Sequence, residues 1–501
     1  MKRNRQFVLF IVLIVTCYIS LASAFSNVIN ITSFLVYLIT IFSIIYMLLL
    51  ENRSPYRTLL WIYVLLFVPI IGYIFFIYSG QLEVKGHLFR SKREETNKLM
   101  KNKYSFNPST QWNNITEAQK NLSRLIDKFS NNQISFHSIS KVLKNGDETF
   151  STIKKEIEQA DYYIHLEYFT IKSDQIGKEI IDLLCSKAEH GVEVRLIFDA
   201  FGSTKLSNTS IREMEKAGIE VYTFLPIKKG FFNQKLNFRN HRKIIIIDGE
   251  VGFVGGLNIG DEYLGLDPKL GFWRDTHLML KGEVIKTLQD TFILDWNFVS
   301  GKTLQNSKYM NTSPVEEIQG GVQILPSGPD SPVDGIMSDL YYELITSAKT
   351  SILIATPYFV PNKAIRTALA MASAKGVDVK LLTPEINDSF LTKYATRSYF
   401  TEMLDYGIDV YSYKKGFLHE KLIVIDEQFA TVGTANIDLR SLHLNFEINA
   451  FLFETDSIKD LVAHYKEDLQ DSSRINISAY QERGLVVRTK ESFARLFSTI
   501  L

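Results

Sequence analysis

The pattern of apolar and polar positions divides the chain into two regions of different character. Three long apolar runs without a charged residue lie near the N-terminus, at 7–25, 33–50 and 59–80. Each run is long enough to cross the roughly 30 Å hydrocarbon layer of a bilayer as a helix, and three in succession are unusual as core helices of a soluble protein. The pattern therefore predicts a membrane-anchoring region over 1–80.

The first apolar run admits two interpretations. Lys2, Arg3 and Arg5 precede it, and Ala22-Ser23-Ala24 has the small-residue spacing of a signal-peptide cleavage site. A second apolar run follows almost at once, and this order favours a retained membrane anchor. We therefore expect the first run to stay in the membrane.

The distribution of basic residues bears on how the third run meets the membrane. Basic residues precede the first run, occur in the loop 51–58 and follow the third run, whereas 26–32 carries no charge. The positive-inside rule is satisfied if the first two runs cross and the third enters and returns, which leaves the remaining chain in the cytoplasm. Pro69 and Gly72 permit such a bend. Three full crossings would instead place the remaining chain outside.

The segment 81–145 is interpreted as a basic juxtamembrane linker. Its lysines and arginines suit contact with anionic lipid headgroups. A solvated linker has a similar composition, however, and Glu94 and Glu95 dilute the positive charge. From about 146 onward, short β-rich runs alternate with helical ones, which is typical of α/β proteins.

This α/β region contains an internal duplication. The strand–helix–strand order of 161–200 returns in 350–383, and the Gly- and Pro-containing stretch 301–330 separates the two copies. A repeated unit of this kind generally packs against its own copy. We therefore predict two pseudo-symmetric lobes, 146–318 and 319–501, that pack face to face.

Composition excludes some classes of function. The chain has 56 basic and 55 acidic residues, so it lacks the overall positive charge of a typical nucleic-acid-binding protein. Its two cysteines, Cys17 and Cys185, form no CxxC pair. The sequence therefore predicts neither a disulfide framework nor a zinc site.

Each half of the duplicated region carries the pattern H-x-K-x4-D, followed by G-[GT]-x-N. The residues are His241, Lys243, Asp248, Gly256 and Asn258 in the first copy, and His419, Lys421, Asp426, Thr434 and Asn436 in the second. A shuffled chain of this composition would contain about 0.1 matches to the first part of the pattern. Two matches with the same continuation therefore indicate a shared chemical role.

The spacing suggests how the motif residues could act on a phosphate. Side chains alternate along a strand, so the histidine and lysine of each copy can point to the same side, at the entrance of an aliphatic strand. We predict that Gly256, Thr434 and the two asparagines bind the phosphate, and that lysines and asparagine amides from both copies stabilise its charge. One imidazole would attack phosphorus and the other would protonate the departing oxygen. This chemistry requires no metal. Asp248 and Asp426 lie at the far ends of the strands, so we expect them to be structural members of the motif.

At these residues the chain resembles the phospholipase D superfamily, which carries the same double H-x-K-x4-D signature. With its apolar N-terminal runs and the flanks FWRDTHL and NFEINAF, it is similar to the bacterial cardiolipin synthases from about residue 33 to the end. The resemblance implies two phospholipase D-type α/β/α sandwich lobes and no cofactor. It also implies transfer of a phosphatidyl group between two phosphatidylglycerol molecules of the membrane, with release of glycerol.

The resemblance further implies a phosphohistidine intermediate, with His241 as the nucleophile and His419 as the acid/base. The near-symmetry of the two copies leaves the opposite order open. Asp275 and Glu447 are candidates for orienting the imidazoles, although both could be ordinary strand-end acids.

A KKGF sequence precedes each motif copy, at 228–231 and 414–417. A cation beside an exposed aromatic ring suits a loop that rests on an anionic lipid surface. Both sequences could equally be basic loops near a phosphate pocket.

Two rival functions share the same motif chemistry. A membrane-bound phospholipase D would hand the phosphatidyl group to water, and a tethered nuclease of the superfamily would cleave nucleic acid. The apolar runs and the near-neutral charge weigh against the nuclease, because phosphate electrostatics dominate nucleic-acid binding. Since neither motif copy has lost a histidine or lysine, we expect an enzyme rather than a membrane scaffold.

Overall fold

The computed structural model describes residues 2–22, 24–49, 55–79, 89–101, 109–226, 237–304, 306–313 and 315–498. The chain divides into two compact units. One unit comprises Met1–Phe89 with Ile227–Asn237, and the other comprises Arg90–Pro226 with Phe238–Leu501. The first unit contains the apolar runs, and the second contains both copies of the motif.

The described part of the first unit is helical. Its helices are α1 (Lys2–Leu21), α2 (Asn27–Leu49), α3 (Pro55–Phe67) and α4 (Pro69–Ser79). Among the described residues, α2 is the one helix long and apolar enough to cross a membrane, while Val8–Leu21 and Thr58–Phe67 are shorter apolar helices. The described part of the apolar run 33–50 therefore lies in a helix of membrane-spanning length, and its crossing of a membrane stays a prediction.

The third apolar run, 59–80, does not form one helix. It breaks between α3 and α4 at Pro69, which cannot donate the hydrogen bond that a continuous helix needs. The rings of Trp61 and Phe76 lie 5.3 Å apart between centroids, although a continuous helix would separate them by about 22 Å. A side chain at Gly72 would collide with the backbone of Val64. The two helices therefore form a tight hairpin, and Gly72 permits their close approach.

The segment 81–145 includes two described helices and a strand. The helices are α5 (Arg90–Lys101) and α6 (Glu117–Ser130), and residues 81–88 and 102–108 lie outside the described residues. Helix α5 is anchored by Lys92, whose buried ammonium lies 2.9 Å from Asp295 and also pairs with Asp330. Helix α6 contributes apolar side chains to the core of the second lobe. This part of the segment is thus built into the α/β unit.

The first lobe contains a mixed sheet. Its strands are β1 (Ser138–Lys144), β2 (Tyr163–Tyr168), β3 (Glu193–Asp199), β4 (Glu220–Phe224), β5 (Lys243–Ile247), β6 (Val251–Gly255) and β8 (Thr276–Gly282). Their order across the sheet is β1-β8-β6-β5-β2-β3-β4. Strands β2, β3 and β4 are parallel, and β5 pairs antiparallel with β2, so that Lys243 lies opposite Tyr168 at the carboxyl end of β2.

The second lobe repeats this topology. Its strands are β9 (Gly321–Ser327), β10 (Ser351–Ala355), β12 (Asp378–Pro384), β13 (Asp409–Tyr413), β15 (Leu422–Ile425), β16 (Phe429–Gly433), β18 (Glu447–Phe453) and β19 (Ser472–Arg474). Their order is β19-β13-β12-β10-β15-β16-β18-β9, which matches the first sheet strand for strand apart from the added β19. The predicted duplication is confirmed.

Helices cover both faces of each sheet. The helices of the first lobe are α7 (Asn145–Glu158), α8 (Gln175–Glu189), α9 (Asn208–Lys216) and α10 (Ile285–Ser300). Those of the second are α11 (Ile336–Thr346), α12 (Lys363–Ala374), α13 (Phe390–Arg397), α14 (Phe400–Asp405), α15 (Leu439–His443), α16 (Ser457–Gln470), α17 (Ile477–Gln481) and α18 (Leu485–Leu496). In the first lobe, α7 and α8 share a core with one face of the sheet, and α10 packs on the other face at Gly252. The fold is therefore α/β with two sandwich-like lobes, as predicted.

Two short strand pairs complete the unit. β11 (Phe359–Val360) pairs with β17 (Ile437–Asp438) inside the second lobe. β7 (Phe272–Arg274) of the first lobe pairs in parallel with β14 (Gly416–Leu418) of the second. The β7–β14 pair and a bridge between Asn240 and Phe446 join the lobes through backbone hydrogen bonds. The segments that lead into both motif histidines are therefore fixed by the opposite lobe.

Candidate active site

Both motif histidines sit where a segment of one lobe pairs with the other. The amide of His241 donates to the carbonyl of Phe446 at 2.9 Å, and the amide of His419 donates to the carbonyl of Arg274 at 2.7 Å. The residue after each of these carbonyls is a buried acid, Glu447 or Asp275. The two histidine environments are thus related by the same pseudo-twofold symmetry as the lobes.

The acids bind the imidazoles in a crossed arrangement. Nδ1 of His241 in the first lobe lies 2.9 Å from Oε2 of Glu447 in the second lobe. Nδ1 of His419 in the second lobe lies 2.7 Å from Oδ2 of Asp275 in the first. Because a carboxylate accepts, each Nδ1 carries the proton and each Nε2 presents its lone pair. The structure thus places Asp275 and Glu447 where the orienting role requires them.

Several neighbours hold the two carboxylates in place. The hydroxyl of Thr434 donates to Glu447 at 2.6 Å, and the side-chain amide of Asn445 donates to the other oxygen at 3.2 Å. The indole of Trp273 donates to Asp275 at 3.3 Å. A side chain at Gly256 would overlap Asp275, so this glycine leaves room for the acid. Thr434 and Gly256, predicted to bind phosphate, are thus placed against the orienting acids; their contact with phosphate stays a prediction.

The two motif lysines are buried beside the histidines. Nζ of Lys243 donates to the carbonyl of His241 at 2.7 Å. Nζ of Lys421 lies 2.8 and 2.9 Å from the two ring nitrogens of His419. Burial lowers the pKa of Lys421 to about 8, and burial together with Lys421 lowers that of Lys243 well below its usual range. Lys421 is thus close enough to Lys243 to oppose its charge.

Burial also keeps both imidazoles neutral. It lowers the pKa of His419 to about 3, with Lys421 acting in the same direction and Asp275 against it. It lowers the pKa of His241 as well, with Glu447 opposing and both lysines adding to the effect. Burial alone would raise the pKa of Glu447, but His241 and Lys243 outweigh it and keep that acid ionised. A lysine of each lobe therefore influences the histidine of the other, so the two motifs form one site.

The two motif asparagines are placed differently from each other. The side chain of Asn258 accepts from the amide of Thr170 at 3.1 Å and donates to the hydroxyl of Tyr263 at 2.9 Å. The side chain of Asn436 donates to Asp438, and its Oδ1 is buried without a hydrogen-bond partner among the described residues. Asn258 thus fastens local structure, and phosphate binding by either asparagine stays a prediction.

The motif aspartates fasten the opposite ends of their strands. Asp248 accepts hydrogen bonds from the amides of Asp161, Tyr162 and Tyr163 at 2.7–2.8 Å. Asp426 does the same for the amides of 349–351 at 2.7–3.0 Å, and it also accepts from the hydroxyl of Thr350. Both aspartates have φ near +54°, which Asp tolerates better than most residues. Each aspartate links the turn after its own motif strand to the start of a neighbouring strand. Neither carboxylate contacts an imidazole.

The residue between the histidine and lysine of each motif was not singled out by the sequence, yet it stabilises the site. Arg242 pairs with Asp295 and donates to the carbonyl of Glu447 at 3.1 Å across the lobe interface. Glu420 accepts from Arg274 at 3.2 Å across the same interface. Both side chains are buried. Arg242 pairs with an acid of its own lobe and Glu420 with an arginine of the other lobe, and these pairings form only when the chain is folded.

The structure describes the second KKGF sequence, 414–417, but not the first. Residues 228–231 lie outside the described residues. In the second copy, Phe417 is buried, and its ring lies 4.9 Å from Trp273 and 5.6 Å from His419. The interpretation of Phe417 as an exposed, lipid-facing ring is therefore wrong, because the β7–β14 pairing draws this ring into the core.

Among the described residues, no group of three or more His, Cys, Asp or Glu side chains could hold a metal ion.

Comparison with known proteins gives consistent results along the whole chain. The profile described as "Cardiolipin synthase, PLD-like domain" matches residues 153–296 and 341–470. A second profile, "Phospholipase D-nuclease N-terminal", matches residues 35–81. The chain is 48% identical to a probable cardiolipin synthase of Bacillus subtilis (strain 168), over all of both chains. It is 44% identical to a cardiolipin synthase of Geobacillus kaustophilus (strain HTA426), also over all of both chains.

A solved structure shares the fold. The crystal structure of phosphatidylserine synthase from Haemophilus influenzae Rd KW20 superposes with a TM-score of 0.58 at 13% sequence identity. The match covers 77% of this chain and 98% of that one. At this identity the likeness shows a common fold and nothing about substrate.

Replacing the orienting carboxylates should slow turnover without unfolding the site. We expect Glu447→Gln or Asp275→Asn to lower kcat about 10²–10⁴-fold, because an amide no longer fixes the tautomer or stabilises an imidazolium. Loss of the negative charge should also lower the pKa of the paired imidazole further, so the acidic limb of the pH–rate profile moves to lower pH. Steady-state kinetics from pH 5 to 9 measure both effects. A variant with normal kcat and an unmoved profile would contradict the orienting role.

Asp426→Asn should affect stability rather than chemistry. Burial alone would raise the pKa of Asp426, but its hydrogen bonds to the amides of 349–351 lower it overall. A lowered folded pKa contributes stability above the unfolded pKa of about 3.9, and this stability is lost as the pH falls through the folded value. We expect the variant to lose about 1–3 kcal/mol at pH 7 and to approach the native protein below pH 4.

Denaturant unfolding at the two pH values measures this difference. Asp456→Asn is the matched control, because Asp456 is exposed and pairs only with Lys459 one turn away, and it should leave stability unchanged. A large fall in kcat for folded Asp426→Asn, with normal stability, would show that this aspartate takes part in catalysis.

Proposed function

The chain belongs to the cardiolipin synthase family of the phospholipase D superfamily, and we propose that it joins two phosphatidylglycerol molecules into cardiolipin with release of glycerol. The observation that carries this proposal is the crossed pairing of His241 with Glu447 and of His419 with Asp275. It brings two imidazoles and two lysines into one site, which is what a two-step phosphodiester exchange needs. The full-length identity to cardiolipin synthases supports the choice of lipid substrate.

The exchange has two steps. Nε2 of one imidazole attacks phosphorus of the first phosphatidylglycerol, and the bond from phosphorus to the headgroup glycerol oxygen breaks. The other imidazole, as its protonated form, gives a proton to that oxygen, and glycerol leaves. The same imidazole then takes a proton from a hydroxyl of the second phosphatidylglycerol, whose oxygen attacks phosphorus. The phosphorus–nitrogen bond breaks, and cardiolipin and the original neutral imidazole result.

The substrate itself creates the proton donor. Both imidazoles are neutral in the free site because burial and the lysines lower their pKa values. A phosphodiester anion between them adds a negative charge, and this charge raises the pKa of each nearby cationic group. One imidazole can therefore take up a proton when the lipid binds. The lysines then stabilise the charge on the phosphoryl oxygens.

Contacts of the two rings support His241 as the nucleophile. Nζ of Lys421 lies 2.9 Å from Nε2 of His419. This contact occupies the Nε2 lone pair that His419 would need in order to attack phosphorus. The same contact suits an acid/base role, because the pKa of Lys421 is lowered to about 8 and the pair can share a proton. The corresponding lysine of the first motif, Lys243, donates instead to the backbone carbonyl of His241.

The products and a pair of histidine variants test this proposal. Purified protein given labelled phosphatidylglycerol should release cardiolipin and glycerol, whereas phosphatidate would indicate a phospholipase D. His241→Ala and His419→Ala should each abolish this turnover. With a phosphatidyl p-nitrophenyl ester, whose phenolate leaves without a proton, His419→Ala should still release up to one equivalent of p-nitrophenolate per enzyme. A burst from His241→Ala and none from His419→Ala would reverse the assignment.

The arrangement of the anchor in the membrane is a further part of the proposal. Helices α1 and α2 cross the bilayer, and the α3–α4 hairpin enters and returns. At 13 and 11 residues, α3 and α4 are only about 20 and 17 Å long, less than the hydrocarbon thickness. The basic residues at the amino end of α1, after α2 and after α4 then all lie on the cytoplasmic side, with the catalytic lobes.

Single cysteines test this topology in a Cys17→Ser/Cys185→Ser background. Ser26, in the loop between α1 and α2, and Tyr162, on the catalytic lobes, are both exposed. In intact cells, a membrane-impermeant maleimide should label Ser26→Cys at once and Tyr162→Cys only after lysis. Labelling of Tyr162→Cys in intact cells would place the lobes outside and favour three full crossings.

A further inference from the structure

The C-terminal helix α18 exposes an apolar face. At about 100° per residue, Leu485, Val486, Thr489, Phe493 and Leu496 fall within one sector of about 100°. Four of these side chains are large and apolar, and their exposed fractions are 78% for Leu485, 68% for Val486, 54% for Phe493 and 77% for Leu496. Such a face is unusual on a helix that lies against a soluble domain.

The opposite face of α18 is firmly attached to the second lobe. Ala494 belongs to the core of that lobe. Glu491 is buried and accepts from the hydroxyl of Tyr480 at 2.9 Å and from Arg483 at 2.7 Å. Because these contacts fix the rotation of the helix about its own axis, the exposed face is a fixed feature of the folded lobe.

Basic residues lie on both sides of this apolar face. Lys490 flanks one edge, and its ammonium lies 5.9 Å from the ring centroid of Phe390. Arg488 and Arg495 flank the other edge, and both are exposed, with Arg495 also pairing with Glu402 at 3.5 Å. The acidic residue of the helix, Glu491, is buried. The solvent-facing charges of α18 are therefore all positive.

The neighbouring helix α13 extends the apolar surface toward the active site. Phe390, at its start, is 55% exposed, and Ile386 of the preceding loop is 36% exposed. The same loop carries Asp388, which pairs with the hydroxyl of Tyr358 and raises the pKa of Lys421 against the lowering by burial. The surface formed by α18, Phe390 and Ile386 thus continues into the loop of Asp388, a carboxylate near enough to Lys421 to influence its charge.

We propose that this surface docks on an anionic bilayer, independently of the N-terminal anchor. An apolar helix face flanked by Lys and Arg is the arrangement by which helices lie in the interfacial layer of anionic membranes. Docking places the Asp388 loop at the level of the lipid headgroups, where phosphodiesters can enter the site. The inference rests on the proposed function only in taking the substrate to be a membrane lipid.

Lipid quenching of a fluorophore on α18 tests the proposal without measuring turnover. In the full-length Cys17→Ser/Cys185→Ser protein, Leu496→Cys or Phe493→Cys carries an environment-sensitive probe, and nanodiscs contain nitroxide-labelled acyl chains. Tyr162→Cys is the matched control, because Tyr162 is 73% exposed and lies at the amino end of β2, away from the catalytic lysine. We expect several-fold stronger quenching at 496 and 493 than at 162 in discs containing phosphatidylglycerol. Quenching should weaken in discs of phosphatidylcholine alone.

Two outcomes would overturn the proposal. Quenching at 496 and 493 no stronger than at 162 would show that the helix does not meet lipid. Energy transfer between labelled copies, without nitroxide quenching, would identify a second copy of the chain as the occupant.

Substitution of the same face gives a functional measurement. Phe493→Glu/Leu496→Glu should raise the apparent KM for phosphatidylglycerol in vesicles several-fold and leave turnover in detergent micelles unchanged. Equal kinetics in vesicles would contradict a role in substrate access. Because quenching requires no catalysis, failure of docking is distinguishable from failure of the synthase assignment.

Discussion

The crossed contacts between carboxylates and imidazoles are the constraint on which the rest of this structure depends. His241 is hydrogen-bonded to Glu447 and His419 to Asp275, so each histidine has its acidic partner in the other lobe. The lobes must therefore pack in one register, which the β7–β14 pair and the Asn240–Phe446 bridge fix through the backbone. Buried ion pairs stabilise this register, because displacing either lobe would leave an uncompensated charge in the interface.

The crossed pairing of acids with histidines also explains the unusual electrostatics of the site. Two lysines, two imidazoles and two acids are buried together, and the desolvation of each cation is only partly offset by the acids. The resting site holds its imidazoles neutral and its lysines with lowered pKa values. An entering phosphodiester supplies the negative charge that this arrangement lacks. Binding of the anionic phosphodiester would therefore also activate the proton donor of the site. A neutral lipid headgroup would bring no such charge and would gain little.

The sequence was most informative where the pattern is local or repeated. The duplicated strand order and the α/β class follow from hydrophobic periodicity, and the two H-x-K motifs are read directly from the residues, so all were predictable. Asp275 and Glu447 could be suggested as acids at strand ends. Which histidine each would contact could not be predicted, because the crossing arises only when the lobes pack. Phe417 was misjudged for the same reason, since its burial comes from a strand of the other lobe. The bend at Pro69 was predictable from the sequence. The close packing of α3 against α4 was not, because it depends on the contact between Gly72 and Val64.

Duplication supplies the symmetry of this site, and a few buried side chains differ between the two copies. Where the second lobe has Thr434 donating to Glu447, the first has Gly256, which makes space for Asp275. Between histidine and lysine, one copy has Arg242 and the other Glu420, each paired with opposite charges. The proposed exchange needs two imidazoles beside one phosphorus atom, yet it needs one of them to bond to phosphorus and the other to give and then take the proton. A frame that is symmetric in its strands and asymmetric in a few buried side chains meets both requirements.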